Sequence, residues 1–178
     1  MQKLNMVIGA FFSDVGTDLL RAFAVFDLES EQFGQDLKMN SSWSSSDFER
    51  VKKRLKEIEL DVKTDATHLI DLNSFLTLKR NNLLRLLENP NLLEHESFSH
   101  LLRAVFHLTE ELSSRVDLNK LPRSDYAHLR DDIKRVYVLL ITQWLDYMEH
   151  LYKHYPYLFS LAIRTNPFNP ETSVEVME

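Results

Sequence analysis

His150 and His154 stand four residues apart in "DYMEHLYKHYPY", a spacing that sets two imidazoles on the same side of a helix. His68 lies on a separate helical stretch, with Asp71 about one turn further on. Three imidazoles from two helices suffice to hold a divalent ion and leave one coordination position open. That chemistry would be metal-dependent catalysis. A zincin would carry Glu directly after the first histidine, whereas Leu151 follows His150 here. The bland alternative is a pair of ordinary histidines near a helix end, where imidazolium suits the helix dipole.

A second stripe runs through His100, Arg103, His107, Glu110, Glu111 and Ser114. It falls opposite Phe98, Leu101, Val105 and Leu108, which predicts a solvated face. His107 with Glu110 or Glu111 could supply half of a di-iron site, but the Glu-x-x-His pair of such bundles is not repeated. Other chemistries lack their residues. There is no cysteine, so thiolate ligands, disulfides and Cys nucleophiles are excluded. Three scattered glycines cannot build a phosphate-cradling loop, and no Gly-x-Ser-x-Gly elbow occurs. A net charge of -6 argues against nucleic acid as a partner.

Helices must position whatever site exists. With 44% apolar and 27% charged residues over 178 positions, the chain can bury one core and is expected to form a single domain. The scarcity of glycine disfavours hairpin-rich sheets, and between the five prolines the apolar spacing is helical. The expectation is all-α, an antiparallel bundle of about five helices ending in a long one. A first helix over 3–28 buries Leu4, Val7, Ile8, Phe11, Val15, Leu19, Ala22, Phe23 and Phe26, with Gly9 and Gly16 admitting a close neighbouring backbone. Ser46 and Glu49 predict a capping box opening a long stretch over 46–88, broken or bent near Asn73-Ser74. A third helix begins at "ESFSHLL". The longest, capped by Ser124, runs over 125–154, roughly 45 Å at 1.5 Å per residue. Pro156 ends it, a short helix follows, and 166–178 reads as a loose tail.

The opening apolar run, Met6 to Phe12, is too short for a membrane span. It also lacks the flanks of a signal peptide, so the chain as given is expected to be soluble. Phe11 and Phe12, with Tyr155, Tyr157 and Phe159 at the other end, are candidate interaction residues, because aromatics dominate binding hot spots.

The stretches "KLNMVIGAFFSDVGTDLL", "LLRLLENPNLLEHESFSHLLRAVFHLTEEL" and "YMEHLYKHYPYLFSLAIRTNPFNP" resemble the soluble portion of a family of uncharacterised prokaryotic membrane proteins. The resemblance implies a noncatalytic cytoplasmic domain at the inner face of the membrane, with residues 1–29 as a juxtamembrane helix. Its partner would be the membrane portion of the same protein, or another protein. It attaches no catalytic residue and no cofactor. The alternatives are a metal-dependent helical-bundle enzyme using a divalent metal ion at His68, His150 and His154, and a homo-oligomeric scaffold joined through the first helix.

Overall fold

The computed structural model describes residues 2–27, 30–92 and 94–176. The helices are α1 (Gln2–Phe11), α2 (Thr17–Phe26), α3 (Ser30–Asp36), α4 (Ser45–Glu57), α5 (Ala66–Leu87), α6 (Glu96–Ser113), α7 (Arg123–His154) and α8 (Pro156–Arg164). A π turn over Phe12–Gly16 joins α1 to α2, so the two make one continuous rod. Counted that way, seven rods stand among the described residues where about five were expected. The all-helical reading holds.

The long α7 is the spine, packed against α1, α2, α4, α6 and α8. Its 32 residues span about 48 Å. It starts with Pro122 at the N-cap position rather than with the expected Ser124, because proline supplies the extended entry and its missing N–H is not needed there. Leu129, Ile133, Val136, Leu140, Trp144 and Leu151 are buried along its length.

The π turn decides how the opening run packs. Its wider turn lets neighbouring residues face inward together, and both Phe11 and Phe12 are buried. The Phe11 ring meets Phe98 edge-on at 5.3 Å, and Phe12 stacks on Tyr147 at 5.4 Å. The glycines serve rings rather than a second backbone. A Cβ on Gly9 would stand 2.9 Å from the Tyr147 hydroxyl, and one on Gly16 would stand 2.5 Å from Phe12 Cδ1. Asp14 turns out of the same segment and accepts from Lys79 Nζ at 2.9 Å and Asn82 Nδ2 at 2.7 Å. These contacts fasten the first rod to α5.

The stretch over 46–88, expected to bend or break near Asn73-Ser74, is two helices that part at 58–65. "IELDVKTD" satisfies two periods at once. Ile58 and Val62 fit a helical stripe, but Leu60 and Val62 are buried while Glu59, Asp61 and Lys63 are exposed, the alternation of an extended strand. Val62 makes an isolated bridge with Asp27, and Lys63 N–H donates to the Phe26 carbonyl at 2.6 Å. Asp65 caps α5 by accepting from His68 N–H at 2.9 Å. At α4 the cap is Ser44, two residues earlier than Ser46, with the Asp47 carboxylate accepting from Ser44 N–H at 2.8 Å. Leu28, the last residue of the predicted 3–28, lies outside the described residues; the described rod ends at Phe26 as Asp27 turns extended.

The predicted loose tail is anchored at its start. Asn166 is buried, donates from Nδ2 to the Leu37 carbonyl at 2.8 Å, and accepts Phe168 N–H through its side-chain oxygen. The Phe168 ring then meets Trp144 at 5.1 Å. A polar residue is tolerable inside because its amide finds partners on both sides. Residues 177–178 lie outside the described residues.

Candidate functional site

The two ends of α7 each gather histidines, and they differ in what faces them. At the C-terminal end, the His150 and His154 rings meet tilted at 43° with centroids 4.9 Å apart, and Tyr155 meets His150 at 5.7 Å. Pro156 cannot continue α7, so Tyr155 leaves helical geometry and the chain reverses into α8. His150 then lines a cavity of about 370 Å³ between α1, α7 and α8, beside Met6, Gly9, Tyr147, Tyr155 and Leu158. Burial, and then the neighbouring His154, hold the His150 imidazole below its ordinary value. Such a group is poised to stay neutral.

His68 is elsewhere. Its Nδ1 lies 2.8 Å from Asp65 Oδ2, and its ring sits edge-on to Phe26 at 5.2 Å. Phe26 and Gly9 mark opposite ends of the first rod, about 25 Å apart at 1.5 Å per residue. No single ion can touch His68 and the His150–His154 pair. The structure therefore brings together two of the three histidines considered for a metal, and leaves the third with a cap. Asp71 shares the shallow cavity beside His68 with Asp18, Ala22 and Phe75.

Of the aromatic residues expected at an interaction surface, Phe11, Phe12 and Phe159 lie inside the bundle. Phe159 closes against Phe48 and Tyr152. Tyr155 is half-buried at the cavity rim, and Tyr157 is 70% exposed. Met6 and Leu158 of the cavity lining are also exposed, giving it an apolar border from α1 and α8, and Leu161 is exposed further along α8.

At the other end of α7 the partners are acidic. His107 and Glu111 lie four apart on α6; His128 and Asp132 lie four apart on α7. The connection over 114–122 reverses the chain, so His107 faces Asp132 and Glu111 faces His128. His107 Nε2 is 3.5 Å from Glu111 Oε1 and 3.6 Å from Asp132 Oδ2. His128 Nε2 is 3.4 Å from each of the same two oxygens. Among the described residues, His107, Glu111 and Asp132 offer ligand atoms that all fall within 4.8 Å of one another.

The outer oxygens are held by arginines. Arg115 Nη1 donates to Glu111 Oε2 at 2.7 Å, and Arg135 Nη1 donates to Asp132 Oδ1 at 2.7 Å. Arg115 also grips Asp125 through Nε and Nη2 at 2.7 and 2.6 Å. Hydrogen bonding from Arg115 holds the Glu111 and Asp125 carboxyls below their usual range. His107 belongs to the stripe read as a solvated face, whereas His128 and Asp132 carried no expectation. The signal that could have found them is the repeated His-x-x-x-acid spacing on either side of one turn.

Residues 1–164 match the family model described as "Uncharacterized protein MJ1433, C-terminal helical domain". The chain is similar to the uncharacterized protein MJ1433 of Methanocaldococcus jannaschii, 45% identical over 174 residues, covering 98% of this chain and 70% of that protein. No solved structure matches. No helix among the described residues is long and apolar enough to cross a membrane.

Proposed function

The chain belongs to the family of the MJ1433 C-terminal helical domain, and on that premise we propose that it is a noncatalytic docking domain for a membrane-associated helix. The partner in this reading is an apolar helical segment from the membrane portion of the same protein, with the bundle on the cytoplasmic side. The supporting observation is the cavity between α1 and α8, lined by Met6 at 75% exposure and by Leu158, with Tyr157, 70% exposed, next to Leu158 on α8. Large apolar side chains held out in water around a concavity are the usual mark of a surface that is covered in use. The occupant is argued from position. The family description places the domain C-terminally, and the matched stretch is 70% of the relative. Any segment preceding such a domain joins at α1, beside this rim.

A photo-crosslinking residue at Tyr157, compared with one at the exposed Val116 remote from the rim, tests the reading in cells making the native gene product. The expected product forms at position 157 and resists alkaline extraction with the membrane fraction. Equal crosslinking at both positions, or a product found only in the soluble fraction, removes the support.

A further inference from the structure

We propose that His107, Glu111, His128 and Asp132 form a divalent-metal site, of zinc type, that clasps α6 to α7. The inference is independent of the docking reading and uses the opposite end of α7.

Distance decides between the two meanings of this cluster. An N–H···O hydrogen bond closes to about 2.7–3.2 Å. Two ligands sharing one zinc at about 2.0–2.1 Å in tetrahedral array stand roughly 3.3–3.5 Å apart. Of the four Nε2-to-oxygen separations, 3.4, 3.4 and 3.5 Å fall in the second range, 3.6 Å lies just above it, and none falls in the first. Three of the donors, on His107, Glu111 and Asp132, lie within 4.8 Å of one another, and His128 Nε2 is 3.4 Å from both carboxylate oxygens.

The second observation is Asp132. Its carboxylate is 5% exposed, and Oδ2 is buried with no hydrogen-bond partner. A buried, unpaired carboxylate oxygen is costly, because nothing replaces the water it gave up. An ion beside Oδ2 supplies the missing partner. The arginines complete the chemistry. Each takes one oxygen of a carboxylate from outside and leaves the other aimed inward, as outer partners of metal ligands commonly do. Two carboxylates and two neutral imidazoles balance the charge of one divalent cation. The donor set is nitrogen and oxygen without sulfur, which suits zinc and its first-row neighbours. Once His128 closes toward His107, four protein ligands fill the coordination sphere, the pattern of a structural site.

The test uses the full chain purified without a histidine tag and titrated with cobalt(II), then with zinc. One equivalent of cobalt is expected to raise the intense visible band of tetrahedral coordination. One equivalent of zinc should abolish it, and either metal should raise the melting temperature. His107→Asn and His128→Asn, whose side chains are half exposed and whose replacement spares the core, should each weaken binding at least ~100-fold. Arg135→Ala, which leaves every ligand in place, should weaken it about 10-fold. His150→Asn should bind as the parent does. No band and no thermal shift would overturn the site. So would binding that survives in the His107→Asn, His128→Asn double variant, binding lost in His150→Asn, or binding without the tetrahedral band.

Discussion

The two ends of α7 carry similar histidines in dissimilar company. At the α8 end, His150 and His154 face each other, Tyr155 and the apolar rim of α1, and burial makes protonation of His150 harder. At the α6 end, His107 and His128 face two carboxylates whose outer oxygens are already held by arginines. An imidazole on this helix therefore defines no chemistry by itself. The neighbouring helix does, by offering either apolar surface or acid. One rod displays both outcomes, so each end serves as the control for the other.

The comparison assumes that α7 couples both ends through one core, and the largest expected effect tests that assumption. Leu140 is fully buried midway along α7. Leu140→Ala should cost about 2–5 kcal/mol in urea denaturation. Amide exchange should quicken at both ends together; loosening at one end only would show two independent halves.

Removing Arg115 should weaken the acidic end alone. Its guanidinium holds both Glu111 and Asp125, and Arg115→Ala should cost about 1.5 kcal/mol. Hydrogen exchange should rise around the α6–α7 turn while the α1–α8 rim keeps its protection.

The apolar end has a sharper probe in Gly9 and Tyr147. Gly9→Ala places a methyl 2.9 Å from the Tyr147 hydroxyl and should destabilise by about 1 kcal/mol. In a Tyr147→Phe background the nearest ring carbon is 3.5 Å away, an ordinary contact. The same substitution should then stabilise by about 0.5–1 kcal/mol, the helical gain of alanine over glycine. A cycle with no change of sign would mean that α1 does not rest on that ring.

The smallest effect is in pH, and the two ends should answer in different windows. The folded His150 imidazole is held below 6.5. The unfolded chain therefore takes up the proton more readily, and the apolar end loses stability as pH falls through about 6.5. Glu111 and Asp125 are held below the ordinary carboxyl range. Their contribution is complete above the unfolded carboxyl value and is lost only as pH falls through about 4 and below. Urea midpoints followed from pH 8 to 3 should show both steps, and His150→Asn should remove only the upper one.

Much of the fold was legible because its signal is local. The inward stripe of α7, from Leu129 through Leu151, and the stop at Pro156 appear in the structure where spacing placed them. The start of α4 was misread by two residues because three consecutive serines offer three possible caps, and only Ser44 has an acid three positions on that reaches its N–H. The break at 58–65 was missed because Ile58 and Val62 suit a helix and a strand equally. The binding of Asn166 and Phe168 could not be foreseen from a proline-flanked tail, since their partners, Leu37 and Trp144, are far away in sequence.

Periodicity by itself determined that this chain folds as helices and which side of each helix turns inward, because a stripe of apolar side chains needs only its own backbone to be defined. Tertiary structure alone decided that Phe11, Phe12 and Phe159 became core, that His68 stands apart from His150 and His154, and that Asp132 is buried between two imidazoles. Those outcomes depend on the register of one rod against another. That register is fixed by packing many distant side chains at once, and no short window of sequence contains it.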